Sequence, residues 1–215
     1  MKLEAVIFDL DGTIADTIKL TLHAIRETAR KFTGREMSDE DALSMFGPVD
    51  TEIIKTLVKT HEQQAAIEDY LNTFSDSFED YVKPIEGIPE LLTFIKQSGV
   101  KTGLFTGRGR IATDIILSKL GLKKYFDEII SGDDTKAFKP DPDGILKMLK
   151  KLDVKAVDSV YAGDFDVDIK ASRNAGTKAV LALWSSTADE GLMEHKPDAA
   201  FKTPYDYMEW LKDKL

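Results

Sequence analysis

The sequence predicts an α/β protein: a doubly wound parallel sheet whose first strand is followed by an inserted block of helices. Three observations carry this. The apolar run Ala5-Val6-Ile7-Phe8 reads as a strand buried on both faces. From Pro84 onward, short apolar runs alternate with segments of helical periodicity, the pattern of a parallel sheet with right-handed crossovers. Between them, residues 17–81 contain no convincing strand, and their apolar residues recur at helical spacing.

The elements follow in order. After the first strand, Leu20, Ala24 and Ile25, then Leu43 and Phe46, then Ile53, Ile54, Leu57 and Val58 mark about four helices packed as a small bundle. Ser38 before Asp39-Glu40-Asp41 offers an N-cap with acids in the first turn. Gly47-Pro48 interrupts the middle of the block. Strands are then expected at 101–106, 128–131, 159–163 and 178–183, and helices at 89–97, 111–120, 142–152, 169–174 and 205–213. A chain of 215 residues suits one core plus an insertion: residues 1–16 and 82–215 for the core, 17–81 for the helical block.

Composition excludes several functions. A net charge of −9 argues against an electrostatic grip on nucleic acid or an anionic membrane. With no cysteine there is no disulfide framework, thiolate metal site or cysteine nucleophile. No uninterrupted apolar stretch is long enough to span a bilayer, and the N-terminus has no signal-peptide pattern, so a soluble cytoplasmic protein is expected, as monomer or homodimer.

The chemistry concentrates at strand ends. In Phe8-Asp9-Leu10-Asp11-Gly12-Thr13, two carboxylates two residues apart project the same way from an extended chain. Such a like-charged pair is costly without a cation beside it. An Asp-Gly turn is the plain alternative for those residues alone. Three more polar pieces fall where the ligand crevice of a parallel sheet lies, outside the strands' C-terminal ends. They are Thr106-Gly107-Arg108, Lys139-Pro140-Asp141-Pro142 and Asp164-Phe165-Asp166-Val167-Asp168. A carboxylate such as Asp9 can attack phosphorus and form an aspartyl-phosphate. Asp11 can protonate the leaving oxygen and later deprotonate water. Thr106 offers a hydroxyl, with backbone N–H groups behind it where a helix begins. Lys139 can neutralise both nucleophile and transferring group. Asp164 completes an all-oxygen set suited to magnesium, while Asp168 can either hold a metal-bound water or orient Lys139.

This motif set resembles that of the haloacid dehalogenase superfamily. Asp9-Leu10-Asp11-Gly12-Thr13 is similar to its first motif, Thr106 to its second, Lys139 to its third, and Gly163-Asp164-x-x-x-Asp168 to its fourth. The helical insertion after the first motif, and Lys139-Pro140-x-Pro142, resemble phosphoglycolate phosphatase-like members. The resemblance implies a Rossmann-like core, a mobile helical cap and a magnesium-dependent phosphatase. Its substrates would be small phosphate monoesters of the phosphoglycolate, nucleotide or sugar-phosphate kind. It implies catalytic roles for Asp9, Asp11, Thr106 and Lys139, and substrate contacts from Gly12, Thr13, Gly107 and Arg108. The magnesium ligands it implies are Asp9, the Asp11 backbone carbonyl and Asp164, with Asp168 alongside. A sugar-phosphate mutase shares the aspartyl-phosphate and is the alternative; a non-catalytic phosphate-binding protein is a third reading, opposed by the intact set. Phe165, where relatives carry a small or polar residue, and the basic run 106–110 depart from the pattern and bear on the substrate.

Other features have plainer explanations. Gly107-Arg-Gly109-Arg-Ile-Ala112 fits a dinucleotide-binding pattern, but Asp127 begins its strand where the fingerprint needs an acid ending one. Arg108 and Arg110 read equally as anion contacts or solvated surface cations. Asp16 reads as a helix cap or hinge residue. Lys136 is a rival for Lys139 without the adjoining prolines. His23, His61 and His195 lack ligand spacing. Trp184 and Gly47-Pro48 read as loop and helix breaker.

Overall fold

A computed structural model describes residues 2–215. Strand β1 (Ala5–Phe8) is followed by five helical segments: α1 (Ile18–Thr33), α2 (Asp39–Leu43), α3 (Asp50–Leu57), α4 (Gln63–Asp76) and α5 (Phe78–Tyr81). Then come α6 (Ile88–Ser98), β2 (Lys101–Phe105), α7 (Arg110–Lys119), β3 (Glu128–Ile130), α8 (Asp143–Leu152), β4 (Ser159–Gly163), α9 (Asp166–Ala175), β5 (Lys178–Ala182), β6 (Ala199–Phe201) and α10 (Pro204–Lys212). The strands form one parallel sheet in the order β3-β2-β1-β4-β5-β6. Chain direction across the sheet reverses between β1 and β4, which opens a crevice at their C-terminal ends.

Strand β1 shows why an unbroken apolar run forms a central strand. Ala5 and Ile7 face one side, among Ile145, Met148 and Leu149 of α8 and Ala171 and Ala175 of α9. Val6 and Phe8 face the other, among Leu91, Leu92 and Ile95 of α6 and Tyr207 and Leu211 of α10. All four residues are fully buried. Period-two alternation between two apolar layers leaves no polar position.

Differences from expectation are local. Strand β6 was not anticipated; it is three half-buried residues, Ala199–Phe201, at the sheet edge, too short for a periodic signal. Helix α9 begins at Asp166 rather than 169, because the Asp168 carboxylate accepts from Phe165 N–H (3.0 Å) and starts the helix a turn earlier. Leu43 is exposed rather than packed. The Ser38 cap is present: its hydroxyl accepts from Asp41 N–H, and Asp41 answers with its carboxylate on Ser38 N–H. No helix among the described residues is long and apolar enough to cross a membrane.

Candidate active site

Three strand ends and the segment that follows β3 meet in a cavity of about 330 Å³. Its floor carries Asp9 and Asp11 after β1, Thr106, Gly107 and Arg108 after β2, Asp164 and Asp168 after β4, and Lys139. Its roof comes from the helical block: Ile18 and Thr21, then Phe46, Gly47 and Pro48, then Asp50 and Ile53. A larger cavity, about 550 Å³, lies within the helical block among Ala29, Met37 and Leu57 and holds no comparable set of charges.

Lys139 is the hub of the floor. Its ammonium donates to Asp9 Oδ1 at 2.6 Å and Asp168 Oδ1 at 2.7 Å, beneath the rings of Phe105 and Tyr161. Burial opposes that charge, but Asp168 and Asp9 outweigh it and hold Lys139 protonated well above the ordinary lysine range. The Tyr161 hydroxyl lies 3.2 Å from Asp168 Oδ1, fixing the second carboxylate. Asp168 thus orients Lys139. Lys136 is exposed, with its backbone N–H on Asp143, and does not line the cavity.

Three carboxylates face one ammonium here. Asp9, Asp164 and Asp168 are buried, with one oxygen of each within 4.8 Å of the others. Burial, opposed by Lys139 and reinforced by Asp168 and Asp11, pushes Asp9 up to about 7. Burial and then its neighbours Asp168 and Asp9 likewise push Asp164 well above the usual carboxylate range. The set is all oxygen and short of positive charge, and so fits a hard divalent cation.

Glycines let these groups close up. Gly12 has φ of +76°, and a Cβ there would lie 1.9 Å from Asp164 Oδ2. A Cβ on Gly163 would lie 2.4 Å from Asp168 Cγ. Gly12 and Thr13 therefore sit beneath the site; Thr13 is fully buried with its hydroxyl 3.4 Å from Asp164 Oδ1.

The loop after β2 differs most from expectation. Arg108 is not a surface cation: it is 7% exposed. Its guanidinium donates through Nε to both Asp11 oxygens (3.0 Å), and through Nη2 to Thr21 Oγ1 (2.6 Å). Its Nη1 faces Asp50 Oδ2 and the Tyr70 hydroxyl, each at 3.4 Å, and the group lies 5.0 Å from the Phe74 ring. Thr17 also donates to Asp11. Backbone donors at the start of α7 are taken too: Arg108 N–H by Thr106 Oγ1, Gly109 N–H by Asp50 and Arg110 N–H by Asp133. Arg110 pairs with Asp134 and lies outside the cavity.

Sequence reasoning missed Asp50, Thr21 and Tyr70 as partners of this arginine. A signal existed for Asp50, which falls three and four residues before Ile53 and Ile54, on the apolar stripe of α3. Other side candidates resolve plainly. Asp16 does not cap α1; its Oδ2 accepts from Ser186 N–H. Asp127 accepts from Thr102 N–H at 2.8 Å, a structural contact. Trp184 donates to the Thr13 carbonyl and stacks on Tyr207. His23 stacks on Tyr81 and hydrogen-bonds Ser77 within the helical block, whereas His61 is exposed and His195 half-buried.

Fold and site define a hydrolase of the haloacid dehalogenase-like kind. Residues 6–182 match the model of the haloacid dehalogenase-like hydrolase family, and the chain belongs to it. It is 32% identical over 216 residues to a candidate pyrophosphatase PpaX of Caldanaerobacter subterraneus subsp. tengcongensis, covering 99% of this chain and 96% of that one. Two solved structures are similar in fold. A candidate β-phosphoglucomutase from Thermotoga maritima matches with TM-score 0.78 and 27% identity, covering 99% of this chain and 100% of that one. A predicted phosphoglycolate phosphatase from Haemophilus somnus 129pt matches with TM-score 0.85 and 17% identity over 99% of each chain.

Proposed function

We propose that this chain is a magnesium-dependent phosphatase that hydrolyses small phosphate monoesters in two displacements. The observation that carries the reading is the junction of Asp9, Lys139, Asp168 and Asp164 at the switch point of the sheet. Lys139 holds Asp9 Oδ1 and leaves Oδ2 to attack phosphorus. The new bond is Oδ2–P; the bond that breaks is between phosphorus and the ester oxygen, which takes a proton from Asp11. Asp11 then removes a proton from water as its oxygen attacks the aspartyl-phosphate, and phosphate leaves with Asp9 restored. Lys139, Thr106 and Gly107 line the cavity, where the ammonium, the hydroxyl and the backbone N–H would meet the non-bridging oxygens.

Asp9, Asp164 and the Asp11 carbonyl would hold magnesium, with Asp168 behind them. When bound, the ion supplies Lewis-acid stabilisation and offsets the like charges of the carboxylates. Residues 17–81 serve as a cap over a core of 1–16 and 82–215, and Arg108 holds cap and core together while orienting Asp11. The protein acts in the cytoplasm as a monomer or homodimer.

The test is phosphate release from a panel of esters, with magnesium and with excess chelator. Metal-dependent release supports hydrolysis. The likeness to the Thermotoga maritima structure keeps one rival, a mutase, which would consume an activated sugar phosphate with no net release of phosphate.

A further inference from the structure

Part of the cavity lining is apolar. Phe46, Pro48, Ile18 and Ile53 supply it from the helical block, and Phe138 and Phe165 from the core. Phe138 directly precedes Lys139 and Phe165 directly follows Asp164, and both line the same cavity as those two groups. Both rings are nearly half exposed, at 46% and 48%. A large exposed apolar side chain beside buried charge marks a surface that something else covers.

Charge selects against one kind of occupant. Six aspartates and two cations line the cavity. Neither cation is spare: Lys139 is shared by Asp9 and Asp168, and Arg108 is spread over Asp11, Asp50, Tyr70 and Thr21. Asp166 is paired with Lys170 outside the cavity, and one divalent ion leaves the remaining five aspartates and two cations still net negative. A second anionic group on the substrate, a carboxylate or another phosphate, would enter among carboxylates with no cation to meet it. An uncharged apolar group meets six apolar side chains instead.

We infer that the substrate is a monoester with a single phosphate, whose leaving alcohol carries an uncharged, ring-sized apolar group seated against Phe46, Phe138 and Phe165. This rests on the phosphatase reading and narrows it. Phosphoglycolate-type, pyrophosphate-type and sugar-phosphate substrates are all disfavoured, the first two by charge and the third by polarity.

The experiment compares kcat/KM for benzyl, ethyl and 2-phosphoglycolate monoesters, pyrophosphate and glucose 1-phosphate, with magnesium. Benzyl and ethyl phosphate both release ordinary alcohols, so their ratio reads ring contact rather than leaving-group acidity. Benzyl phosphate is expected to exceed ethyl phosphate by about tenfold or more, since burying a ring of this size is worth that much. Phosphoglycolate and pyrophosphate should fall below both. Phe165→Ala and Phe138→Ala should each cut the benzyl-to-ethyl ratio by about threefold or more, and circular dichroism should show the fold intact. Preference for phosphoglycolate, pyrophosphate or glucose 1-phosphate over benzyl phosphate would overturn the inference and leave the phosphatase standing. Absence of phosphate release from every compound would overturn both.

Discussion

Asp9→Asn should stabilise the metal-free protein at alkaline pH relative to acid. The reason lies in the direction of its pKa. Asp9 rises from 3.8 to about 7 on folding, chiefly through burial. A carboxyl raised in the folded state binds its proton more tightly there than in the unfolded chain. Its contribution is therefore fully present below about pH 4, is lost as pH rises to about 7, and stays lost above. The whole change corresponds to about 4 kcal/mol, of which about 2.5 kcal/mol falls between about pH 5 and about pH 8. Asparagine has the same shape and no proton to lose, so the variant escapes this decline. The assay is urea unfolding of wild type and variant in excess chelator at both pH values. The gap between their midpoints should widen in the variant's favour by about 1 M urea at the higher pH. Equal gaps at the two pH values would refute the claim that burial raises the pKa of Asp9 on folding. The same variant should release no phosphate, because an amide cannot replace the attacking carboxylate.

Three further outcomes are expected. Excess magnesium should raise the melting temperature more at about pH 8 than at about pH 5.5, because ligands bind as carboxylates; Asp164→Asn should lose most of that gain in a thermal-shift assay, and an undiminished gain would move the ion elsewhere. Gly12→Ala should abolish magnesium-dependent phosphate release with the circular dichroism spectrum retained, since the added methyl occupies the space of Asp164 Oδ2; normal release would show that Asp164 can stand elsewhere. Arg108→Ala should cost about 3–5 kcal/mol in urea unfolding by leaving Asp50 and Asp11 unpaired. Arg108→Lys should not restore it, because one ammonium cannot reach four partners.

The site was legible because its chemistry is attached to strand ends. A parallel sheet delivers Asp9, Thr106 and Asp164 to one edge whatever the loops do, so three short apolar runs were enough to place them. Lys139 was legible from its neighbours Pro140 and Pro142, and the structure puts its ammonium between Asp9 and Asp168. Strand β6 left no trace because three residues cannot display a period, and its pairing is supplied by β5. Arg108 stayed open between anion contact and surface cation for a related reason. A sequence shows that an arginine follows a strand, but its burial is decided by Asp50, Tyr70 and Thr21, residues 38 to 87 positions away.

That arginine is better explained by registration than by stability. Burying a guanidinium with two carboxylates recovers little net free energy, because desolvation offsets most of the attraction. What an apolar contact lacks is direction. Nε fixes both oxygens of Asp11, Nη2 fixes Thr21 on α1, and Nη1 faces Asp50 on α3 and Tyr70 on α4, so a planar group sets three helices and the Asp11 carboxylate in one frame. Lifting the helices away would strip Arg108 of Asp50, Tyr70 and Thr21 while leaving Asp11, so the carboxylate's surroundings would change whenever the helices moved. A tryptic-digestion comparison tests this: Arg108→Met should keep the core resistant while speeding cleavage within 17–81 and lowering kcat. Unchanged cleavage in that block would mean that apolar packing, and not the arginine, sets its position.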